Sequence, residues 1–241
     1  MRAVIFDLGH TLIDYYNDWR VPEKRAVSEL WSIASRNMED HPEKNEFVRV
    51  TLEELDKARI RRRTEMIEIP LADFLQERLS DFGIHPSNGL IEEGMEVFYR
   101  ALLEHRSLIP GSKEMLKELE EKGYLIGLIS DVAWGLPSSY PLRDMEHYEL
   151  VGYFDDMVFS TDVGLRKPNR KIFEIAMEHL GVVPEESVYV GNNLQADIAG
   201  ALGAGMKAIL KRSNYFSPDD AIVPSAKVDG WSELWPIIQG L

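Results

Sequence analysis

The chain has no cysteine in its 241 residues. Disulfides, thiolate nucleophiles and cysteine-bound zinc are therefore excluded. It also lacks any apolar stretch approaching the roughly 20 residues that a membrane-spanning helix needs. Its start, Met1-Arg2-Ala3-Val4-Ile5-Phe6-Asp7, is too short and too soon acidic to read as a signal peptide, so a cytoplasmic protein is expected. Positive charge is scarce too: 27 Lys and Arg stand against 41 Asp and Glu, a formal charge of −14. Such a surface repels polyanions, which argues against nucleic acid and anionic membranes as partners, and it keeps the protein soluble. A hydrophobic fraction of 44% with 5 Trp, 9 Tyr and 9 Phe is enough for a packed core.

Hydrophobic periodicity divides the chain. Ala3-Val4-Ile5-Phe6 is a short, β-branched run that ends in Asp7 and then Leu8-Gly9, which reads as a buried strand feeding a loop. From about Trp19 to Arg106 the pattern turns helical, with Leu71, Phe74, Leu75, Leu79 and Phe82 at three- and four-residue steps, and Ile91, Met95, Phe98 and Leu102 likewise. Pro22, Pro42, Pro70 and Pro86 mark four helix starts. After Ile109-Pro110-Gly111 strands and helices alternate: strands at 125–129, 157–160, 188–190 and 207–210, helices at 113–122, 170–180 and 194–202. Alternation of this kind specifies an α/β fold with a parallel sheet and right-handed crossovers. The expected organisation is an α/β core, residues 1–18 and 107–241, with a helical insertion over residues 19–106 above the sheet's carboxyl edge. A block hung there is placed to close over Asp7 as a lid.

Four polar positions fall at the ends of those strands, where open α/β sheets bind ligands. Asp7 can act as a carboxylate nucleophile, or simply cap a turn. Ser130, beside Asp131, can hydrogen-bond a phosphoryl oxygen or form a turn. Lys167 precedes the helix at Arg170, an unfavourable place for a cation unless an anion lies close; an ordinary surface lysine is the alternative. Asn192 and Asn193, with Asp197 one turn further, supply oxygen donors suited to magnesium, or caps and turns.

The order Phe6-Asp7-Leu8-Gly9-His10-Thr11-Leu12, Ile129-Ser130-Asp131, Arg166-Lys167-Pro168 and Val190-Gly191-Asn192-Asn193-Leu194-Gln195-Ala196-Asp197 resembles the four motifs of the haloacid dehalogenase-like hydrolase superfamily. The likeness is close over residues 1–18 and about 107–212. The helical insertion matches the family's type-one cap in place and character only. The resemblance implies a Rossmann-like, five-stranded sheet carrying a four-helix cap. It further implies an Asp7 nucleophile that forms an aspartyl phosphate, with Ser130 and Lys167 holding the phosphoryl oxygens. Mg²⁺ would be held by Asp7, the Gly9 carbonyl, Asn192 and Asp197, and substrate would touch Gly9, His10, Ser130, Asp131 and Lys167.

Two positions depart from that pattern. Gly9 stands where the family's phosphatases usually carry a second aspartate, the general acid and base; His10 is the nearest titratable substitute. Asn192 replaces a usual metal-binding aspartate, which removes one negative charge. The expected function is thus a Mg²⁺-dependent phosphatase acting on a small phosphorylated metabolite, as monomer or homodimer. The alternatives are a 2-haloacid dehalogenase and a degenerate protein that binds phospho-ligands without turnover. A phosphonatase would need a cap lysine, for which Lys44 and Lys57 are candidates by position. The basic run Arg59–Arg63 is either a helix face paired with glutamates or a contact for an anionic substrate.

Overall fold

A computed structural model describes residues 1–36, 42–213, 215 and 221–241. The strands are β1 (Ala3–Phe6), β2 (Ile13–Asp14), β3 (Ser107–Leu108), β4 (Leu125–Ser130), β5 (Asp156–Phe159), β6 (Ser187–Gly191), β7 (Lys207–Lys211) and β8 (Ala226–Val228). Six of them form one parallel sheet in the order β5-β4-β1-β6-β7-β8. The nucleophile candidate thus leaves a central strand, flanked by the strands that deliver Ser130 and Asn192.

The expected count of five strands is corrected to six. Ala226–Val228 runs parallel to β7, with Ile209 opposite Ala226 and Lys211 opposite Val228. Three residues with an exposed lysine in the middle carry too little apolar periodicity to be read as a strand. A second, smaller correction concerns Ser160, which opens a one-turn helix, α7 (Ser160–Val163), instead of ending β5.

Alternation along the strands assigns the faces. Val4, Phe6, Ile126 and Leu128 point to one side, where they join the larger apolar cluster. Ala3, Ile5, Ile129 and Tyr189 point to the other, against Ile172, Phe173 and Ala201. The second group sits on α8 (Arg170–Leu180) and α9 (Ala199–Gly203). Asn169 caps α8 by accepting from the Lys171 amide, and Gly181 ends it at a φ of 61°, so its bounds coincide with the sequence expectation. Residues 194–202, expected as one α-helix, begin instead with a wide π turn over Leu194–Ile198, in which the Ile198 amide donates to the Asn193 carbonyl.

The chain departs from the sheet through β2 and returns through β3. These two pair antiparallel, Ile13 opposite Leu108 and Asp14 opposite Ser107. Between them lie α1 (Arg20–Ala34), α2 (Lys44–Glu65), α3 (Leu71–Asp81) and α4 (Asn88–Leu103), while α5 (Ser112–Glu121) and α6 (Ser139–His147) follow β3 and β4. Helix α1 packs on α2 and α4, and α3 on α4. Their apolar stripes contribute Leu30, Phe47, Leu75 and Phe98 to the cluster that also holds Val4 and Phe6, so one hydrophobic core runs from sheet to helices.

Phe98 lies fully buried in that continuous core, its ring edge-on to Trp134 at 5.2 Å. Phe98→Ala is expected to lower unfolding free energy by about 3–5 kcal/mol, the cost of deleting a packed aromatic ring, measured by urea denaturation at neutral pH.

Candidate active site

The β1 carboxyl end delivers Asp7 into a tight loop in which Leu12 and Ile13 amides both donate to the Leu8 carbonyl. This turn folds Thr11 back under Asp7: its hydroxyl donates to Asp7 Oδ2 at 2.8 Å and lies 3.5 Å from Asn192 Oδ1. Lys167 reaches the other oxygen, with Nζ 2.7 Å from Asp7 Oδ1. The same ammonium is 2.7 Å from Asp197 Oδ1, 2.9 Å from the Tyr189 hydroxyl and 3.1 Å from the Ile129 carbonyl. The residues expected at the sheet edge therefore converge. Asp7, Gly9, His10, Ser130, Asp131, Lys167, Asn192 and Asp197 all line one cavity of about 620 Å³ beneath the helical block.

Electrostatics in this pocket are set by burial. Removal from water pushes the Asp7 carboxyl up to about 6; Lys167 opposes that shift, and Asp197 reinforces it. Burial alone would pull the Lys167 ammonium down, but Asp197 and Asp7 together hold it well above the ordinary lysine value. The charge therefore stays on the lysine and the proton, when one is taken up, goes to a carboxylate. Asp131 is raised by burial against the pull of Arg166 and Lys167; its Oδ1 accepts from the Lys167 amide at 3.1 Å. It holds the lysine's backbone in place.

His10 sits at a φ of 59°, its imidazole stacked on Tyr215 with centroids 3.9 Å apart. Its Nδ1 is 2.9 Å from Asp14 Oδ1, and burial lowers its basicity. A neutral, stacked ring of that kind is a wall of the cavity and a poor proton donor.

Among the described residues no group of three or more His, Cys, Asp or Glu side chains is placed to hold a metal. What the pocket does offer is a hard oxygen set: the Asp7 carboxylate, the Asn192 amide oxygen and the Gly9 main chain, all at the cavity. Mg²⁺ binds such sites through one or two carboxylates and keeps water or phosphate on its remaining positions, so this set fits, with one negative charge fewer than a two-carboxylate site. Asp197 is differently placed. Its Oδ1 takes Lys167 and Tyr189, and its Oδ2 accepts from the Asn193 amide at 2.9 Å.

Thr11 and Tyr189 escaped the sequence reading. Thr11 lies within the first motif and could have been marked as a hydroxyl four residues after Asp7. Tyr189 gave no signal, since a tyrosine in a strand reads as core. Lys44 and Lys57 are not among the cavity-lining residues; Lys44 lies over the Trp31 ring and Lys57 pairs with Glu54. In the basic run, Arg59 pairs with Glu23 and Asp56, and Arg61 with Glu65. Arg62 is buried against Glu68, and Arg59, Arg62 and Arg63 all line the cavity.

The fold brings a carboxylate, an ammonium and several oxygen donors together at the carboxyl edge of a parallel sheet. The family description "haloacid dehalogenase-like hydrolase" matches residues 1–205, and the chain belongs to that family. A glyceraldehyde 3-phosphate phosphatase of Methanopyrus kandleri is 27% identical over 100% of this chain and 98% of its own. One of the same name from Methanothermobacter thermautotrophicus is 37% identical over 52% of this chain and 53% of its own. Among solved structures, a HAD phosphatase from Thermococcus onnurineus superposes with a TM-score of 0.68 at 24% identity, covering 100% of this chain and 99% of its own. A 2-haloacid dehalogenase from Pseudomonas syringae gives the same score at 23% identity, with the same coverage. The fold is therefore common to both chemistries and does not choose between them.

Gly191 ends β6 directly under Asp197, and a Cβ there would lie 2.5 Å from the Asp197 carboxylate. Gly191→Ala is expected to push Asp197 off Lys167 and cost about 1–3 kcal/mol through overpacking, read as a lowered Tm.

Proposed function

We propose that the chain is a Mg²⁺-dependent phosphatase that acts on a small phosphorylated metabolite. The observation that carries this reading is the pairing at Asp7: one oxygen faces Lys167, and the other shares the Thr11 hydroxyl with the Asn192 amide oxygen. A dehalogenase needs no hard-oxygen set beside its nucleophile; a phosphatase does, because a dianionic ester must approach a carboxylate. The name of the relative matched over 98% of its own length points the same way. A cytoplasmic site of action and the absence of nucleic-acid or membrane partners belong to the same reading; no helix among the described residues is long and apolar enough to cross a membrane.

In this mechanism an Asp7 carboxylate oxygen attacks phosphorus, a P–O bond forms, and the bond to the leaving alkoxide breaks. Lys167 and Ser130 hold the phosphoryl oxygens as their charge redistributes. Asp7, Asn192 and the Gly9 carbonyl would hold Mg²⁺, which supplies charge neutralisation between the two anions when bound. Water then attacks phosphorus of the aspartyl phosphate, releases inorganic phosphate and restores the Asp7 carboxylate. Gly9 brings no proton to the leaving oxygen, so that oxygen must depart as its own anion or take a proton from water.

Aryl phosphates, whose phenolates leave unassisted, are expected to turn over far faster than alkyl phosphates. Asp7→Asn is expected to abolish both reactions. A Cβ at Gly9 would meet only Tyr15 Cδ2, at 4.0 Å, so the first carbon of a side chain has room there. Gly9→Asp is expected to speed alkyl esters by about 10²–10⁴-fold, the usual worth of a positioned general acid. A panel of both ester types with and without Mg²⁺ tests this; equal wild-type rates on the two would refute it.

Acidification should also report on Asp7. Only the ionised carboxylate attacks, and its folded-state value is raised to about 6. With Mg²⁺ scarce, kcat/KM is expected to fall as pH drops through about 6. Saturating Mg²⁺ favours the carboxylate and moves the limb to lower pH. Profiles at two Mg²⁺ concentrations with identical acidic limbs would remove Asp7 as a ligand.

A further inference from the structure

The helical block touches the sheet's loops at a second place, remote from β2 and β3. Residues 66–68, just after α2, lie antiparallel to residues 164–166: Ile67 bridges Leu165, the Glu68 amide donates to the Gly164 carbonyl, and the Arg166 amide donates to the Met66 carbonyl. Next to that bridge the chain comes so close to the loop after β4 that a Cβ on Gly135 would lie 2.2 Å from the Ile69 carbonyl oxygen.

Glu68 is at the centre of this contact, and its side chain is almost wholly buried. Its Oε2 accepts from the Ser160 hydroxyl at 2.5 Å and from Arg166 Nη1 at 2.6 Å, and its Oε1 lies 3.1 Å from Arg62 Nε. Each partner leads onward to the catalytic loops. The Ser160 hydroxyl also accepts from the Val132 amide at 2.9 Å, and Arg166 Nη1 donates to the Val132 carbonyl at 3.0 Å. Val132 follows Ser130 and Asp131, and Arg166 precedes Lys167. One carboxylate from the helical block therefore braces the amide and the carbonyl of Val132, through Ser160 and Arg166, and holds directly the residue before Lys167. Two arginines and a serine converge on Glu68. Replacing it leaves the largely buried Arg62 and Arg166 without their shared anion.

We infer that Glu68 is a positioning residue: seating of the 66–68 segment on the sheet loops, through Glu68, sets the placement of Ser130, Asp131 and Lys167. Ordering of the phosphoryl-binding loops is thereby made conditional on docking of the helical block. The inference rests on the phosphatase reading only for its kinetic arm.

The test compares wild type, Glu68→Gln, Glu68→Ala and Ser160→Ala, with Arg61→Ala, an exposed residue paired to Glu65, as control. Amide hydrogen exchange is expected to rise in peptides covering 129–133 and 164–168, with β1 and β6 protected as in wild type. With p-nitrophenyl phosphate and Mg²⁺, kcat is expected to drop by about 10- to 100-fold in Glu68→Ala, as for lost supporting contacts elsewhere, with KM little changed. Glu68→Gln is expected to recover part of the rate, since it keeps an acceptor oxygen. Exchange that rises only around 62–70, or evenly through the protein, would overturn the inference, because Glu68 would then be merely structural. If Glu68→Ala does not fold, Ser160→Ala and Glu68→Gln carry the same comparison. A wild type without turnover would sink the phosphatase reading, while the exchange result still decides this one.

Discussion

One ammonium group organises the floor of this pocket. Lys167 lies between Asp7 and Asp197, with the Tyr189 hydroxyl and the Ile129 carbonyl also within hydrogen-bond distance of its ammonium. Two carboxylates this close and this buried would repel each other; the lysine makes them tolerable, and they in turn hold the lysine charged. The sequence order is a consequence of that need. Asp7, Lys167 and Asp197 come from three separated segments, and only a central strand flanked by β4 and β6 brings them within one hydrogen-bond radius. Asp197 is accordingly better described as the counter-charge that aims Lys167 than as a direct ligand for a cation.

That arrangement also explains how a site with fewer acids than usual stays coherent. Gly9 and Asn192 each remove a carboxylate, yet neither touches Lys167. The Asn192 amide keeps an oxygen beside the Thr11 hydroxyl and sends its Nδ2 to Ser213 at 3.2 Å. Charge is lost from the side where a cation would sit, and the lysine side is intact. The consequence is selective: cation affinity and leaving-group help should suffer, while placement of the Asp7 carboxylate should not.

Much of this was readable from the residues. Asp7 at the end of a β-branched run, the proline-marked helix starts, and helix 170–180 between an asparagine cap and Gly181 all arise from local physics, which one stretch of chain contains. Ala226–Val228 was not readable, since three residues with an exposed lysine make a strand only when a neighbouring edge is already there to pair with. Tyr189 looked like core because its ring is core; only its hydroxyl, at the far tip, belongs to the site. Arg62 sits in a basic run that reads as a helix face paired with glutamates, and Glu68 carries no signal in the sequence. Their burial depends on where the helical block lands, a tertiary fact that no window of sequence holds. Asp197 was recognised by its spacing, but its commitment to Lys167 depends on the register between β6 and β1.

The short ribbon of β2 and β3 has an architectural consequence. Because Ile13 and Leu108 face each other across it, the sheet experiences everything in between as one closed loop. Closure entropy rises only with the logarithm of loop length, so lengthening, trimming or exchanging the helices changes the cost of that closure very little. Closure therefore puts little limit on the size of the roof; what any rebuilt roof must keep is the seam at residues 66–68 and the apolar face it shares with the sheet.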